Sequence, residues 1–256
     1  MRLDLYLVKT GRFPSRQKAQ EAIARGDVSV GGQTVLKPSK EILNGETVTV
    51  SVAEERFVSN GGYKLNKAIQ DFKFSPSGLV FADIGASNGG FTDCLLKYGA
   101  KKVIAIDVGE SQLDKTLSTD ERVVVLDNFN ARYLTAESLG GTVDGVTADV
   151  SFISLTYILK NVADALKDGG VALLLIKPQF ELNAAALNKS GLVRSRALRK
   201  SAVKKVYDYA LNVGLIPVDF TTAPIKEKKN VEYVIMLKKD LQISPISLKT
   251  VEERAI

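Results

Sequence analysis

The 256-residue chain contains no histidine and a single cysteine, Cys94. One cysteine forms no intrachain disulfide, and without histidine the chain lacks both the commonest metal ligand and the commonest general base. Acid–base chemistry must fall to lysine, aspartate, glutamate or tyrosine, and no metal site is expected. No apolar run approaches the ~20 residues that a spanning helix needs. Asp4 and Lys9 interrupt the N-terminal segment, where a signal peptide is continuously apolar. These absences place the protein in the cytoplasm, with no membrane partner expected. The excess of positive charge is small, 35 Lys plus Arg against 29 Asp plus Glu. It suits a polyanionic partner but is common among proteins that bind nothing acidic. Cys94, beside Leu95 and Leu96 in a helical stretch, reads as a packing residue.

Residues 1–56 read as a small α+β domain. Leu3, Leu5, Leu7 and Val8 start a helical apolar face, and Ser15 is placed to cap a second helix that Gly26 ends. Strand segments flank Gly31-Gly32, a two-glycine hairpin signal, and a further strand, VTVSV (48–52), follows the Asn44-Gly45 turn. Within residues 1–40 eight basic residues face three acids. Arg2, Arg12, Arg16, Lys18, Arg25 and Lys37 are the candidate phosphate contacts, although a solvated basic surface would look the same.

A charged, turn-rich stretch (53–62) follows, with 57–62 taken as the linker and Ser59-Asn60-Gly61-Gly62 as its flexible point. From there to residue 240, apolar runs of strand length at 79–84, 102–107, 123–126, 145–150 and 171–176 alternate with amphipathic helical stretches. That alternation predicts βαβ units and a parallel, Rossmann-like sheet. Two last strands, 215–220 and 232–237, have no helix-length segment between them and should close the sheet as an antiparallel hairpin, unlike a dinucleotide-binding dehydrogenase. The tail, 241–256, shows weak periodicity and is expected to be loosely held.

The sharpest motif is DIGASNGGFTD (83–93), an apolar strand running into a glycine-rich turn and then a helix. Glycine lets backbone approach a ligand closely, and a helix N-terminus offers unpaired N–H groups. The glycine-x-x-x-glycine-glycine spacing differs from the G-x-G-x-x-G of pyrophosphate binding. Candidate cofactor contacts are Asp83, Gly85, Ser87, Gly89, Gly90 and Phe91 in this stretch, and Asp107 at the next strand end, where a carboxylate suits ribose hydroxyls. Asp127, Asn128 and Asn130 follow the third strand, in position for an adenine edge. A plain βα turn with a surface Asp is the alternative. At two further strand ends stand Asp149, counted with both the cofactor and the chemistry, and Lys177, a lysine directly after five apolar residues.

These residues together resemble the TlyA family, whose catalytic domain is similar to FtsJ-type ribose methyltransferases. The matching stretches are RLDLYLV and SRQKAQEAIARGDVSVGGQTVLKPS near the N-terminus, then VSNGGYKL, DIGASNGGFTDCLL, AIDVG, DVSFISL, KPQFE and NVEYVIML. The first 52 residues resemble the RNA-binding domain named after ribosomal small-subunit protein four. The resemblance implies S-adenosylmethionine as cofactor and ribosomal RNA or a ribosomal subunit as partner. It implies 2′-O-methylation of a ribose, cytidine in the family, and a catalytic tetrad falling on Lys64, Asp149, Lys177 and Glu232. Lys177 would hold or deprotonate the 2′-hydroxyl, and the residues leave both roles open.

Three departures lie beside this site. Asn60 replaces the family's arginine, Glu110-Ser111 replaces an aromatic-glycine pair, and PIKEKKNVEY (224–233) is shorter and poorer in glycine than the family's loop. LNKSGLVRSRALRKSAVKK (187–205) carries seven basic residues and no acid, so Arg196, Arg199 and Lys200 are candidates for a second RNA face, with a solvated helix as the alternative. Two other functions compete: a non-catalytic RNA-binding or ribosome-assembly protein that keeps the cofactor pocket, and a pore former, since family members are also labelled haemolysins.

Overall fold

The lone N-terminal carboxylate among apolar residues, Asp4, becomes the centre of the first unit instead of part of its surface. The computed structural model describes residues 1–24, 26–43, 45–50, 57–225 and 227–256. Arg25, Asn44, residues 51–52 of the expected third strand and residues 53–56 of the charged stretch lie outside the described residues.

Contacts divide the chain into two units, Met1–Arg56 and Phe57–Ile256. The first holds α1 (Leu3–Lys9), α2 (Arg16–Ala24), β1 (Val28–Val30), β2 (Gln33–Thr34) and β3 (Val48–Val50). Gly31 and Gly32, both at positive φ, turn β1 into β2, and β3 pairs with the other edge of β1, so the antiparallel order is β2-β1-β3. Leu3, Leu7, Ala19, Ile23, Val28 and Val48 make the core. Buried Asp4 accepts from Arg2 Nη2 (3.0 Å), Arg16 Nε (2.9 Å) and Gln20 Nε2 (2.8 Å), tying α1 to α2.

The second unit contains α3 (Asn60–Asp71), β4 (Val80–Ile84), α4 (Gly90–Lys97), β5 (Lys102–Ile106), α5 (Lys115–Ser118), β6 (Val123–Leu126), β7 (Val143–Ala148) and α6 (Leu159–Ala165). It continues with β8 (Leu166–Ile176), α7 (Pro178–Glu181), α8 (Arg196–Asn212), β9 (Ile216–Thr222), β10 (Tyr233–Lys238) and α9 (Leu248–Arg254). The seven strands run β6-β5-β4-β7-β8-β10-β9. The first five are parallel, and β10 is antiparallel to both its neighbours, as the closing hairpin requires.

Strand periodicity sorts the core into two layers. Phe81, Val103, Leu173 and Leu175 pack with Leu65, Ile69, Cys94 and Leu95. Ala82, Ile84, Val146, Leu174 and Ile176 pack with Leu159, Val162, Val203 and Val206. Register then sets the site: Ile84 is level with Ile106 and Ala148, and Ile176 with Tyr233. The ends of β4, β5, β7 and β8 and the start of β10 therefore share one rim, where ligands of open α/β sheets bind. Among the described residues no helix is long and apolar enough to cross a membrane.

Two sequence expectations are corrected. Residues 57–62 are no loose link: Phe57 is buried in the second unit's core, Val58 N–H donates to Asp93 at 2.8 Å, and Asn60-Gly61-Gly62 form the first turn of α3. The tail is not loose either, because Val251 and Ala255 are fully buried against the main core. Weak periodicity concealed α9 because only one side of a seven-residue helix meets the protein.

Candidate active site

Strand β7 delivers Asp149 and β8 delivers Lys177 to the rim; the helical turn at 60–64 delivers Lys64, and Glu232 stands immediately before β10. The structure brings all four together. Lys177 Nζ lies 2.6 Å from Asp149 Oδ1, Lys64 Nζ lies 3.5 Å from Asp149 Oδ2, and Lys64 Nζ lies 2.7 Å from Glu232 Oε2. Two ammonium groups and two carboxylates thus alternate in one chain of contacts. Burial disfavours the Lys64 ammonium, but the charges of Asp149 and Glu232 outweigh it and hold that pKa above its ordinary value. Lys177 Nζ also donates to Ser151 Oγ at 2.8 Å.

Beside this chain opens a cavity of about 440 Å³ lined by Gly85, Ser87, Asp107, Asn130, Asp149 and Ser151, with Ile84, Ile106, Val108, Phe129 and Ile153 among its apolar walls. Asp107 Oδ2 accepts from Ser87 N–H and Oδ1 from Gly109 N–H, both at 2.8 Å, which fixes the carboxylate at the strand end. Gly85 has φ +78, and a Cβ there would come within 2.9 Å of the Asp149 carbonyl oxygen, so the loop passes where only glycine fits. A smaller cleft of about 170 Å³, lined by Gly61, Gly85, Ser87, Gly90, Phe91, Asp149 and Lys177, leads to the same residues. An apolar slot with a fixed carboxylate at one end and the charged chain at the other fits a nucleoside joined to an amino-acid arm. This is the shape and chemistry of S-adenosylmethionine.

Other expected cofactor contacts have different positions. Asp83 is fully buried beneath the loop, accepting from Thr92 Oγ1 (2.7 Å) and Thr147 Oγ1 (2.8 Å), and lines none of these cavities. Burial pushes its pKa up to about 6, and the nearby charge of Asp149 adds to the rise. Gly89 serves packing: its φ is +90, and a Cβ would meet Leu117 and Leu113 within 2.7 Å. Asp127 accepts from Ser111 N–H at 2.9 Å, and Asn128 N–H donates to the Gly109 carbonyl at 3.1 Å. Both hold the loop after Asp107 in place of touching the cavity. These four residues, expected as cofactor contacts, line neither cavity, because sequence spacing does not show which way a side chain turns.

The sequence reading missed Ser151 and Ser59, which line the smaller cleft, and Tyr63, Phe180, Lys228 and Lys229, which line a third cavity with Lys64, Lys177 and Glu232. It also missed Phe152, largely exposed at φ +66. The signal for Ser151 and Phe152 was present in DVSFISL, directly after Asp149.

The candidate RNA contacts divide. Arg12, Lys18 and Lys37 are exposed, and Arg12 Nη1 donates to the Val48 carbonyl at 2.5 Å. Arg2 and Arg16 are also half-exposed, but each is held by Asp4. On the second proposed face the two arginines already have partners within the protein. Arg196 donates to the Ala255 and Glu253 carbonyls at 3.0 and 3.3 Å, and Arg199 to those of Ile256, Val193 and Arg194 at 2.9, 3.1 and 2.8 Å. Their guanidinium groups fasten the C-terminal segment, and Lys200 beside them is half-buried.

Comparison with known proteins agrees with this geometry. Residues 57–239 match the FtsJ-like methyltransferase family and residues 1–48 the S4 domain. The chain is 40% identical to hemolysin A of Brachyspira hyodysenteriae over 236 residues, covering 91% of this chain and 98% of that protein. It is 39% identical over 259 residues to the 16S/23S rRNA (cytidine-2′-O)-methyltransferase TlyA of Mycobacterium tuberculosis, covering 100% and 97%. A solved structure of a hemolysin-named protein from Streptococcus thermophilus superposes with a TM-score of 0.75 at 35% identity, covering 100% and 95%. With the rim residues assembled, a slot that fits the cofactor and relatives matched along their length, the chain belongs to the TlyA family of FtsJ-like methyltransferases and uses S-adenosylmethionine as methyl donor.

Proposed function

We propose that the protein methylates the 2′-hydroxyl of a cytidine in ribosomal RNA, with Lys64, Asp149, Lys177 and Glu232 as its catalytic residues. The observation that carries this reading is the alternating chain of these four side chains where the cofactor slot meets the third cavity, which has a volume of about 460 Å³. A pocket of that size takes a nucleoside. S-adenosylmethionine supplies an electrophilic methyl group and leaves after transfer as the neutral thioether.

In this reading Lys177 Nζ, steadied by Asp149 and Ser151, donates its remaining hydrogen bond to the 2′-oxygen and sets its approach. Lys64, kept as ammonium by its two carboxylate partners, fixes Asp149 and Glu232. As the carbon–oxygen bond forms, the ribose oxygen becomes strongly acidic, so the proton it releases needs no strong base. Lys177 passes one proton to Asp149 Oδ1, 2.6 Å away, its amine turns about the Cε–Nζ bond, and the lone pair so freed takes the proton from the ribose oxygen, so that Lys177 ends with its charge unchanged. This relay accounts for methyl transfer in a chain without histidine.

The test is transfer of labelled methyl to unmodified ribosomal RNA and subunits, with the product nucleotide mapped and Lys177→Ala run in parallel. The expected product is a 2′-O-methylcytidine, with transfer by the variant at least ~10²-fold slower at unchanged cofactor affinity. A variant that binds cofactor and transfers at the wild-type rate would overturn the assignment. The hemolysin name carried by relatives motivates a parallel liposome dye-release assay, in which no release is expected.

A further inference from the structure

The third cavity borders a wall built from two loops. Asn230 holds the loops together: its Oδ1 accepts from Val193 N–H at 2.8 Å, and its Nδ2 donates to the Gly191 carbonyl at 3.0 Å. Both loops reach the cavity, one through Ser190 and Leu192 and the other through Lys228, Lys229 and Asn230. Lys228 has φ +58, in the left-handed region that residues other than glycine, asparagine and aspartate seldom adopt. A lysine kept there while Asn230, two residues on, is clasped marks a fixed wall and a strained position at a candidate site.

Charge gives the wall a ligand. Lys64 and Lys177 also line the cavity, but Asp149 and Glu232 neutralise them. Among the described residues neither Lys228 nor Lys229 is in an ion pair, so the uncompensated charge of the cavity is theirs. Both are exposed and line this cavity, and neither lines the cofactor slot. A target ribose brought to Lys177 carries a phosphodiester on either side, and this backbone charge passes the mouth of the cavity.

We propose that Lys228 and Lys229, held in place by the Asn230 clasp, grip the RNA phosphate next to the target ribose. This rests on the RNA-methylating reading above. With Asn230 tied to the neighbouring loop, the two lysines meet the phosphate as a preorganised pair, which lowers the ordering cost of binding.

The test pairs Lys228→Gln/Lys229→Gln with an RNA fragment containing the mapped target nucleotide, and with the same fragment carrying a neutral methylphosphonate at each neighbouring linkage in turn. The double variant is expected to raise the KM for RNA about tenfold, keep kcat within about twofold, and lower the slope of log affinity against log salt by about one. One methylphosphonate should weaken wild-type binding to a similar degree and add little in the variant. Unchanged RNA affinity and salt slope in the variant, additive losses for every linkage, or a fall in kcat at constant KM would each overturn the clamp. Asn230→Ala should reproduce the higher KM while leaving S-adenosylhomocysteine affinity unchanged, and a wild-type KM there would refute the clasp. The salt slope can be measured on unmodified ribosomal RNA without methyl transfer, so absence of transfer would overturn the functional reading while the clamp is still judged by binding.

Discussion

Asp4 in the first unit and Asp83 in the second are both fully buried, yet their surroundings drive them in opposite directions. Hydrogen bonds from Arg2, with Gln20 and Arg16 adding, hold Asp4 well below the usual carboxylate range against the cost of burial. Asp83 has only the hydroxyls of Thr92 and Thr147, so burial prevails and raises it to about 6. Cationic partners make a buried carboxylate a permanent anion; neutral donors make it a group whose proton is nearly free to come and go. The first arrangement is a structural rivet. The second lies under the active-site loop, close enough to feel the charge of Asp149.

The largest effect expected from this contrast is the loss of the rivet. Asp4→Asn should lower the stability of the first unit by about 2–3 kcal/mol, less than the ~3–5 kcal/mol of leaving a buried charge unpaired, since Arg2 and Arg16 can turn towards water. Urea unfolding followed by hydrogen exchange of α1 and α2 measures it. A loss under about 0.5 kcal/mol would mean that the arginines do not depend on Asp4.

A second expectation concerns pH, and its sign differs between the units. Asp4 has a depressed folded pKa, so its contribution is present above the unfolded value near 4 and is lost as pH falls below it. Asp83 has a raised folded pKa, so its contribution is present below about 4 and is lost as pH rises through about 6. The second unit should therefore lose about 2 kcal/mol between pH 4 and pH 7 from this group, an order-of-magnitude figure from about two pKa units. Asp83→Asn should flatten that slope, raising the melting temperature at pH 7.5 and leaving it nearly unchanged at pH 4.5. If the variant keeps the wild-type pH dependence, Asp83 is not the titrating group.

The same contrast explains what could be read from the sequence. The parallel sheet and its closing antiparallel hairpin followed from apolar runs alternating with helical stretches, and Asp149 and Lys177 were legible as polar residues at strand ends, whereas Lys64 and Glu232 stood out only through the resemblance to the TlyA family. The direction of a side chain was not legible. Asp83 stands one residue before the end of its apolar run and Asp107 ends its own, but Asp83 is hydrogen-bonded in the core and Asp107 lines the cofactor slot. Nor could sequence reveal long-range commitments. Arg16 meets Asp4 across 12 residues and Arg196 meets Ala255 across 59, so arginines that look available to RNA are already engaged. The fold of 57–62 was hidden for the opposite reason, since a serine-asparagine-glycine-glycine run reads as a turn until Phe57 and Asp93 anchor it as a helix start.

The smallest expected effect separates committed cations from available ones. Arg196→Gln/Arg199→Gln removes donors to five carbonyls within the second unit, so it should loosen the C-terminal segment and leave the salt dependence of RNA binding unchanged. Lys18→Gln/Lys37→Gln removes exposed charges, of which Lys18 has only a 3.9 Å contact with Glu21, and should lower the salt slope by up to about two. Filter binding of ribosomal RNA over a range of salt concentrations measures both. If the arginine pair lowers the slope as much as the lysine pair, guanidinium groups bonded to carbonyls still contribute to phosphate binding. In that case hydrogen-bond commitment would be a poor guide to which basic residues meet RNA, because a carbonyl partner leaves the positive charge of an arginine intact, whereas the carboxylate of Asp4 cancels one of the two charges of Arg2 and Arg16.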